Sequence, residues 1–89
     1  MKHIYIMLTH ARRINPRGYE EVVEVCEIVN RVNKTQNRTA SVIIDCITGK
    51  VEKNRYEHQA DLGYDDIELY FKEKYPKQYN QVRALIESL

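Results

Sequence analysis

The chain has 89 residues, of which 43% are hydrophobic and 30% are charged, and its fourteen basic and thirteen acidic residues give a net charge of +1. This length supports one small domain, residues 1–89, whose core is too small to enclose a substrate in a deep pocket. The near-neutral charge excludes a strong overall attraction to nucleic acid or to an anionic membrane.

The first predicted element is a β-strand at residues 3–9, HIYIMLT. Apolar side chains alternate to both of its sides, which is typical of a central strand covered on each face. The following segment, THARRINPRG at 9–18, ends in turn residues, because Pro16 fixes φ and Gly18 accepts a positive φ. We expect a homodimer, because a chain this small gains stability when a second copy covers one apolar face of this strand.

Residues 19–34 are interpreted as an amphipathic helix. Val22, Val25 and Val29 recur at three- and four-residue steps, and acidic residues precede basic ones, as the helix macrodipole favours. The β-branched valines lower the intrinsic helix propensity, so such a helix depends on its packing. Residues 35–39 are then a polar connection.

Residues 40–47 predict a second strand, because β-branched residues alternate between its two faces. The residues TGK at 48–50 predict a hairpin turn, since they supply the glycine that such turns need. The chain then returns as a more polar strand at 51–58. Charged side chains on this strand are typical of a protected sheet edge.

Two helices are predicted in the C-terminal third. Asp65 is a good N-cap, and Glu68, three residues later, completes a capping box. Pro76 interrupts this helix and serves as the first residue of the next, which runs nearly to the end. The resulting order, β-α-β-β-α-α, predicts an α+β fold in which helices pack on a three-stranded, mostly antiparallel sheet.

Motifs for enzymatic chemistry are sparse. The three glycines are isolated, and neither CxxC nor HExxH occurs, so we expect no cofactor and no metal. One grouping has the residue types of a small ribonuclease, with histidine as base and arginine as phosphate ligand. It consists of His10, Arg12, Arg13 and His58. The near-neutral charge disfavours an RNA substrate, so we rank this function last and expect no enzyme.

Tyrosine is the unusual residue type, with seven copies and no tryptophan. Four of them lie in the C-terminal third beside several acids, and tyrosine is favoured in interfaces. The alternative is that these rings close a small core with their hydroxyls outward. We predict a protein-binding surface here, and an acidic face also fits a nucleic-acid channel of a partner. The predicted residues are Tyr64, Asp65, Asp66, Glu68, Tyr70, Tyr75 and Tyr79.

The alternative function is nucleic-acid binding by the basic N-terminal segment. Residues 1–17 contain four basic residues and no acidic residue. An arginine side chain can bind a phosphate through two N–H groups. The neighbouring Glu20 and Glu21 and the lack of an aromatic pair for base stacking weaken this alternative. The residues concerned are Lys2, Arg12, Arg13, Arg17 and Arg38.

No motif identifies a family. In size and composition the chain resembles small inhibitors encoded by viruses and mobile elements, including anti-CRISPR proteins. We therefore predict a non-enzymatic protein-binding module that inhibits a larger, nucleic-acid-handling complex. A cytoplasmic location is expected, because Cys26 and Cys46 lie in apolar runs typical of free thiols, and no apolar run is long enough for a signal or a membrane span.

Overall fold

The computed structural model describes residues 3–55 and 64–89. This part of the chain confirms the predicted α+β class, but its element order is β-β-α-β-β-α-α. The strands are β1 (Tyr5–Ile14), β2 (Glu20–Val29), β3 (Ala40–Asp45) and β4 (Lys50–Asn54), and the helices are α1 (Lys34–Thr39), α2 (Tyr64–Lys74) and α3 (Pro76–Glu87).

The four strands form one antiparallel sheet in the order β2-β1-β3-β4, so the predicted three-stranded sheet is wrong by one strand. Pairing of β1 with β3 ends at Thr9, whereas its pairing with β2 continues to Ile14. The last five residues of β1 therefore pair with β2 alone. We call this two-stranded ribbon and its turn, residues 10–24, the hairpin arm.

The helix predicted at residues 19–34 is wrong, because residues 20–29 form β2. The spacing of the valines fits both a helix and a strand, so the pattern alone is ambiguous. These valines are Val22, Val23, Val25 and Val29. β-Branched side chains favour an extended backbone, where they pack well on a pleated surface. Pairing with β1 decides the outcome, since every residue of β2 has a partner there.

The polar connection predicted at residues 35–39 is wrong as well, because these residues belong to α1. Asn33 and Gln36 form a reciprocal capping box, in which each side chain accepts a hydrogen bond from the other residue's N–H, at 2.7 and 2.9 Å. Side chains of Lys53 and Arg55 donate to carbonyls at the other end of the helix. A six-residue helix is marginal alone, so these contacts hold it in place.

One face of the sheet carries the larger core. Ile6, Leu8 and Ile44 are buried there against Phe71 of α2 and Val82 of α3. Deleting a buried side chain of this size costs about 2–5 kcal/mol of stability. This cluster therefore fixes both C-terminal helices on the same face of the sheet.

The opposite face carries a smaller core. Met7, Ala40 and Ile43 are buried, and Val32 packs against them. The second apolar face of β1 is thus covered by the chain itself. This is the face that we expected a second copy to cover, and homodimerisation stays a prediction.

The C-terminal helices follow the prediction with small shifts. α2 begins at Tyr64, so Asp65 lies inside the helix and is not its N-cap. Pro76 is the first residue of α3, as predicted. The hairpin turn before β4 is confirmed, whereas the strand predicted at 51–58 ends at Asn54. The end of that range lies outside the described residues.

Two hydrogen bonds determine which backbone groups of β2 face its partner. The N–H of Asn15 donates to the carbonyl of Tyr19 at 2.9 Å. Since hydrogen-bonded pairs alternate along an antiparallel ladder, the odd-numbered residues of β2 bond to β1. On the other side of β1, the N–H of Cys46 donates to the carbonyl of Ile4 at 2.7 Å, which assigns the even-numbered residues of β1 to β3. The even-numbered residues of β2 therefore point their N–H and C=O groups away from the sheet.

This alternation predicts a pattern of amide hydrogen exchange in β2. The amides of Val23, Val25 and Glu27 bond to β1 and should exchange at least about tenfold more slowly than those of Val22 and Cys26, after correction for intrinsic rates. The measurement is hydrogen–deuterium exchange followed residue by residue by NMR. Equal protection of odd and even amides would contradict the assigned ladder.

Candidate functional site

The hairpin arm ends in a tight turn. The backbone N–H of Gly18 donates to the carbonyl of Asn15 at 2.9 Å, and Gly18 adopts a φ of 87°. A side-chain oxygen of Asn15 accepts from the N–H groups of Arg17 and Tyr19, at 2.9 and 3.0 Å. Pro16, Asn15 and Gly18 thus form a type I turn followed by a left-handed residue, which is a standard three-residue hairpin connection.

The tip of the arm exposes large apolar side chains. Ile14, Tyr19 and Val22 have 68%, 70% and 60% of their surface in solvent. Ile14 lies opposite Glu20, and Val22 lies opposite Arg12, so these four side chains share one face of the ribbon. The two apolar side chains occupy one diagonal of this square. Tyr19 pairs with Asn15 and so lies on the other face of the ribbon, which leaves exposed apolar side chains on both faces of its end. Such exposure is a feature of a binding surface, because soluble proteins normally cover large apolar groups.

The charges of the arm pair across its two strands. Arg12 donates to Glu20 at 3.3 Å along the second diagonal, and Arg13 donates to Glu21 at 2.8 Å on the opposite face. Both pairs are exposed, so each contributes only about 0.2–1 kcal/mol to stability. Their larger effect is electrostatic, since each arginine lies beside a carboxylate that screens it from an approaching phosphate.

The base of the arm is tied to the rest of the sheet through His10. Its Nδ1 lies 2.8 Å from Oγ of Ser41 on β3, and its Nε2 lies 3.6 Å from Oε2 of Glu24 on β2. His10 and Glu24 are direct partners in the β1–β2 register. Three neighbouring strands therefore join their polar side chains in one row at the point where the arm leaves the sheet.

Glu24 also accepts hydrogen bonds from the helical layer. Tyr70 of α2 donates its hydroxyl to Oε1 of Glu24 at 2.7 Å, and Tyr75, between α2 and α3, donates to the same oxygen. Burial alone would raise the pKa of Glu24, but these hydrogen bonds, with the nearby charges of Lys74 and His10, lower it. Burial and the Glu24 carboxylate raise the pKa of Tyr75. Glu24 is thus held as a carboxylate, and Tyr75 as a neutral donor.

The predicted tyrosine-rich surface lies on α2 and α3, with its described hydroxyls turned inward. Tyr70 and Tyr75 contact Glu24, and Tyr79 donates to Glu68 at 2.6 Å. All three rings pack against the larger core. Tyr64, Asp65 and Asp66 belong to α2, and their side chains lie outside the described residues. This placement leaves protein binding by the tyrosine-rich surface as a prediction.

The predicted basic residues do not form one continuous patch. Arg12 and Arg13 lie on opposite faces of the arm, and Arg17 lies in its turn. Arg38 belongs to the last turn of α1, a separate element. Lys2 lies outside the described residues.

The residues of the predicted ribonuclease group are only partly brought together. His10 and Arg12 share a face, whereas Arg13 points to the other side of the ribbon. His58 lies outside the described residues. Both described arginines are held in ion pairs with glutamates, and His10 contacts Ser41 and Glu24.

Cys26 and Cys46 are free thiols. Burial, reinforced by the nearby charge of Glu24, raises the pKa of the Cys26 thiol to about 12, which keeps it protonated at neutral pH. In residues 3–55 and 64–89 no three histidine, cysteine or acidic side chains converge into a metal-binding group. Among the helices of these same residues, none has the length and apolar character needed to cross a lipid bilayer.

Sequence reasoning missed both ends of the arm. A helix over residues 19–34 would place Glu24 on its solvent face, and no sequence motif singles out Ser41. Ile14, Tyr19 and Val22 come to one end of the ribbon only when the chain folds back at Asn15, so the sequence pattern does not group them. An NPRG turn between two segments of β-branched residues was the available indication of a hairpin.

Comparison of the chain with protein-family models, curated proteins and solved structures finds no significant match. The function is therefore argued from the geometry of the hairpin arm.

The carboxylate of Glu24 predicts a pH-dependent stability. Because its pKa is lower in the folded than in the unfolded state, its stabilising contribution is present above the unfolded pKa and is lost as the pH falls through the folded pKa. Removing the Tyr75 hydroxyl in Tyr75→Phe should lower the free energy of unfolding by about 1.5–3 kcal/mol at neutral pH. Urea unfolding at about pH 7 and about pH 3 measures both effects, and the deficit of the variant should shrink in acid.

Glu24→Gln removes the charge that accepts these hydrogen bonds and should also lower the free energy of unfolding at neutral pH. Glu27→Gln is its matched control, because Glu27 lies on the same strand with its side chain exposed. The control should retain wild-type stability within about 0.5 kcal/mol. If Tyr75→Phe and Glu24→Gln also retain it at neutral pH, the anchoring role of Glu24 is wrong.

Proposed function

We propose that this protein is a small protein-binding module that docks on its partner through the hairpin arm. The observation that carries the proposal is the exposed apolar tip formed by Ile14, Tyr19 and Val22. Aromatic and other large apolar side chains that a partner buries supply much of the energy of protein interfaces.

The charge of the arm supports a protein partner over a nucleic acid. Residues 10–24 hold three arginines and three glutamates, so the arm has no net charge with His10 neutral. Affinity for nucleic acid comes largely from neutralised phosphates, and two of these arginines already have carboxylate partners. Paired charges around an apolar centre are, by contrast, the usual composition of a protein interface rim.

The geometry of the arm makes it suitable for insertion. It is anchored at its base by Glu24 and His10, while the described helices pack on the sheet below it. The molecule measures 44 × 28 × 28 Å, and a ribbon of five residue pairs is about 17 Å long. An arm of this length reaches a groove on a partner without contact between the two bodies.

Nucleic-acid binding is the competing function, and one observation favours it. A two-stranded β-ribbon fits the major groove of DNA, and the arm places Arg12, Arg13 and Arg17 on such a ribbon. Binding of this kind weakens steeply with salt and depends on the arginines, whereas binding through the apolar tip depends on Ile14 and Tyr19.

The test compares affinity capture by the tagged full-length chain and by a double variant, Ile14→Ser with Tyr19→Ser. Leu89→Ser is the matched control, because Leu89 is a similarly exposed apolar residue, 66% in solvent, away from the arm. The wild type and the control should recover the same stoichiometric partner from nuclease-treated lysate. The double variant should recover at least about tenfold less, since loss of central interface residues costs more than 1 kcal/mol each.

Circular dichroism and thermal unfolding check that the variants fold. Equal recovery by the double variant would contradict docking through the tip. Binding of a labelled DNA or RNA duplex that is lost in Arg12→Ala with Arg13→Ala and at high salt would establish the competing function. Recovery of a nucleic-acid-handling complex would support the narrower expectation of an inhibitor of viral or mobile-element type.

A further inference from the structure

The outer edge of β2 is an unpaired strand of ten residues. β2 is at the end of the strand order, and in the described part of the chain no strand pairs with its outer side. The N–H and C=O groups of its even-numbered residues point to that side, as the hydrogen-bonding alternation requires. An unpaired row of this kind is a template for an added strand.

A groove runs beside the part of this edge that lies nearest the helices. Cys26, Glu27 and Ile28 form one wall, and Lys77, Gln78 and Gln81 of α3 contribute the other. Its volume is about 390 Å³. A strand added to β2 would enter this groove with one of its faces, where the two glutamine amides can hydrogen-bond to an extended backbone.

The side chains of β2 select the charge of the incoming strand. β2 carries four glutamates and no basic residue. The arginines that pair with Glu20 and Glu21 lie on β1, on the inner side, and Glu27 is exposed without an ion pair among the described residues. Directly opposed opposite charges stabilise paired strands, and like charges destabilise them.

We propose that the outer edge of β2 binds an extended, basic segment of a partner protein by antiparallel strand addition. The proposal rests on the proposed protein-binding function and names the chemistry of the partner. Glu24 is occupied by Tyr70 and Tyr75, so lysine or arginine in the added strand pairs with the exposed glutamates. β-Branched residues pair with the valines between them. A second copy of this chain is disfavoured at this edge, because the only charged side chains on two paired β2 strands are glutamates, which repel each other.

The test uses two blocked nine-residue peptides, one alternating lysine with valine and one alternating glutamate with valine. Amide exchange of the full-length protein is measured by NMR with each peptide at about 1 mM. The lysine peptide should slow exchange at Val22, Glu24 and Cys26 by about tenfold, and the glutamate peptide should not. Equal protection by the two peptides, or none by either, would overturn the proposal.

Two substitutions at one position distinguish the contribution of the backbone to peptide binding from that of the side chain. Val22→Pro removes an N–H that points outward, which an edge strand tolerates, whereas Val22→Ala keeps that N–H. Binding of the lysine peptide should weaken by about tenfold in the proline variant and by less than about threefold in the alanine variant. Glu27→Lys should weaken the lysine peptide and strengthen the glutamate peptide. Equal loss in both Val22 variants would show that the backbone edge is not used.

Sedimentation of the free protein shows whether a second copy of the chain already occupies the edge of β2. A dimer whose even-numbered β2 amides are already protected would assign the edge to a second copy and overturn the proposal. If the arm-tip variants release the captured partner but the peptides leave β2 unprotected, docking by the arm holds and strand addition fails. If capture does not depend on the tip, the proposed function fails, and the peptide result is judged on its own.

Discussion

The carboxylate of Glu24 is the interaction on which the position of the hairpin arm depends. A two-stranded ribbon without further cover is only marginally stable in water, and this arm leaves the sheet where β3 ceases to pair with β1. At that point Glu24 accepts hydrogen bonds from Tyr70 and Tyr75 and faces His10, which in turn contacts Ser41. One side chain thereby connects the edge strand, the central strand and the helical layer. Hydrogen bonds to a charged acceptor are worth about 1.5–3 kcal/mol each, and they add to the strand pairing that holds the ribbon in place.

The anchor divides the arm into a fixed base and a free tip. At the base, polar groups of the strands and helices satisfy one another, and no described buried side-chain nitrogen or oxygen atom is left without a hydrogen bond. At the tip, the charges are paired within the ribbon, so the apolar side chains are the part that gains most from a partner. The free edge of β2 extends this surface along the strand toward α3. Val22 belongs to both the tip and the edge of β2, so a partner that contacts both would bury a continuous surface.

The error over residues 19–34 has a physical cause. In this segment the acidic residues come first and the basic residues last, with the valines between them. This pattern is compatible with a helix and with a strand, because valine occupies too many positions to define a period. The energy that decides between them lies in pairing with β1, more than ten residues away along the chain for most of β2. A helix over these residues would place Glu24 on its solvent-exposed face, so the anchor is not foreseeable from the sequence pattern. The number of tyrosines is unusual already in the sequence. The direction of the hydroxyls of Tyr70, Tyr75 and Tyr79, however, follows from where Glu24 and Glu68 lie in the fold.

The sequence by itself determined the features that depend on local chemistry. These are the α+β class, residues 5–9 of the first strand, the turn at Gly49, the proline-initiated last helix and the turn at Asn15–Gly18, since φ preferences and short-range periodicity act within a few residues. The extension of the first strand to Ile14 was not among them. Only the tertiary structure decided the features that join distant segments: the strand identity of β2, the polar row from Ser41 to Tyr75, and the exposed tip. Those contacts depend on which strands become neighbours, and that choice is made by cooperative burial and pairing across the whole sheet, which no local window of the sequence contains.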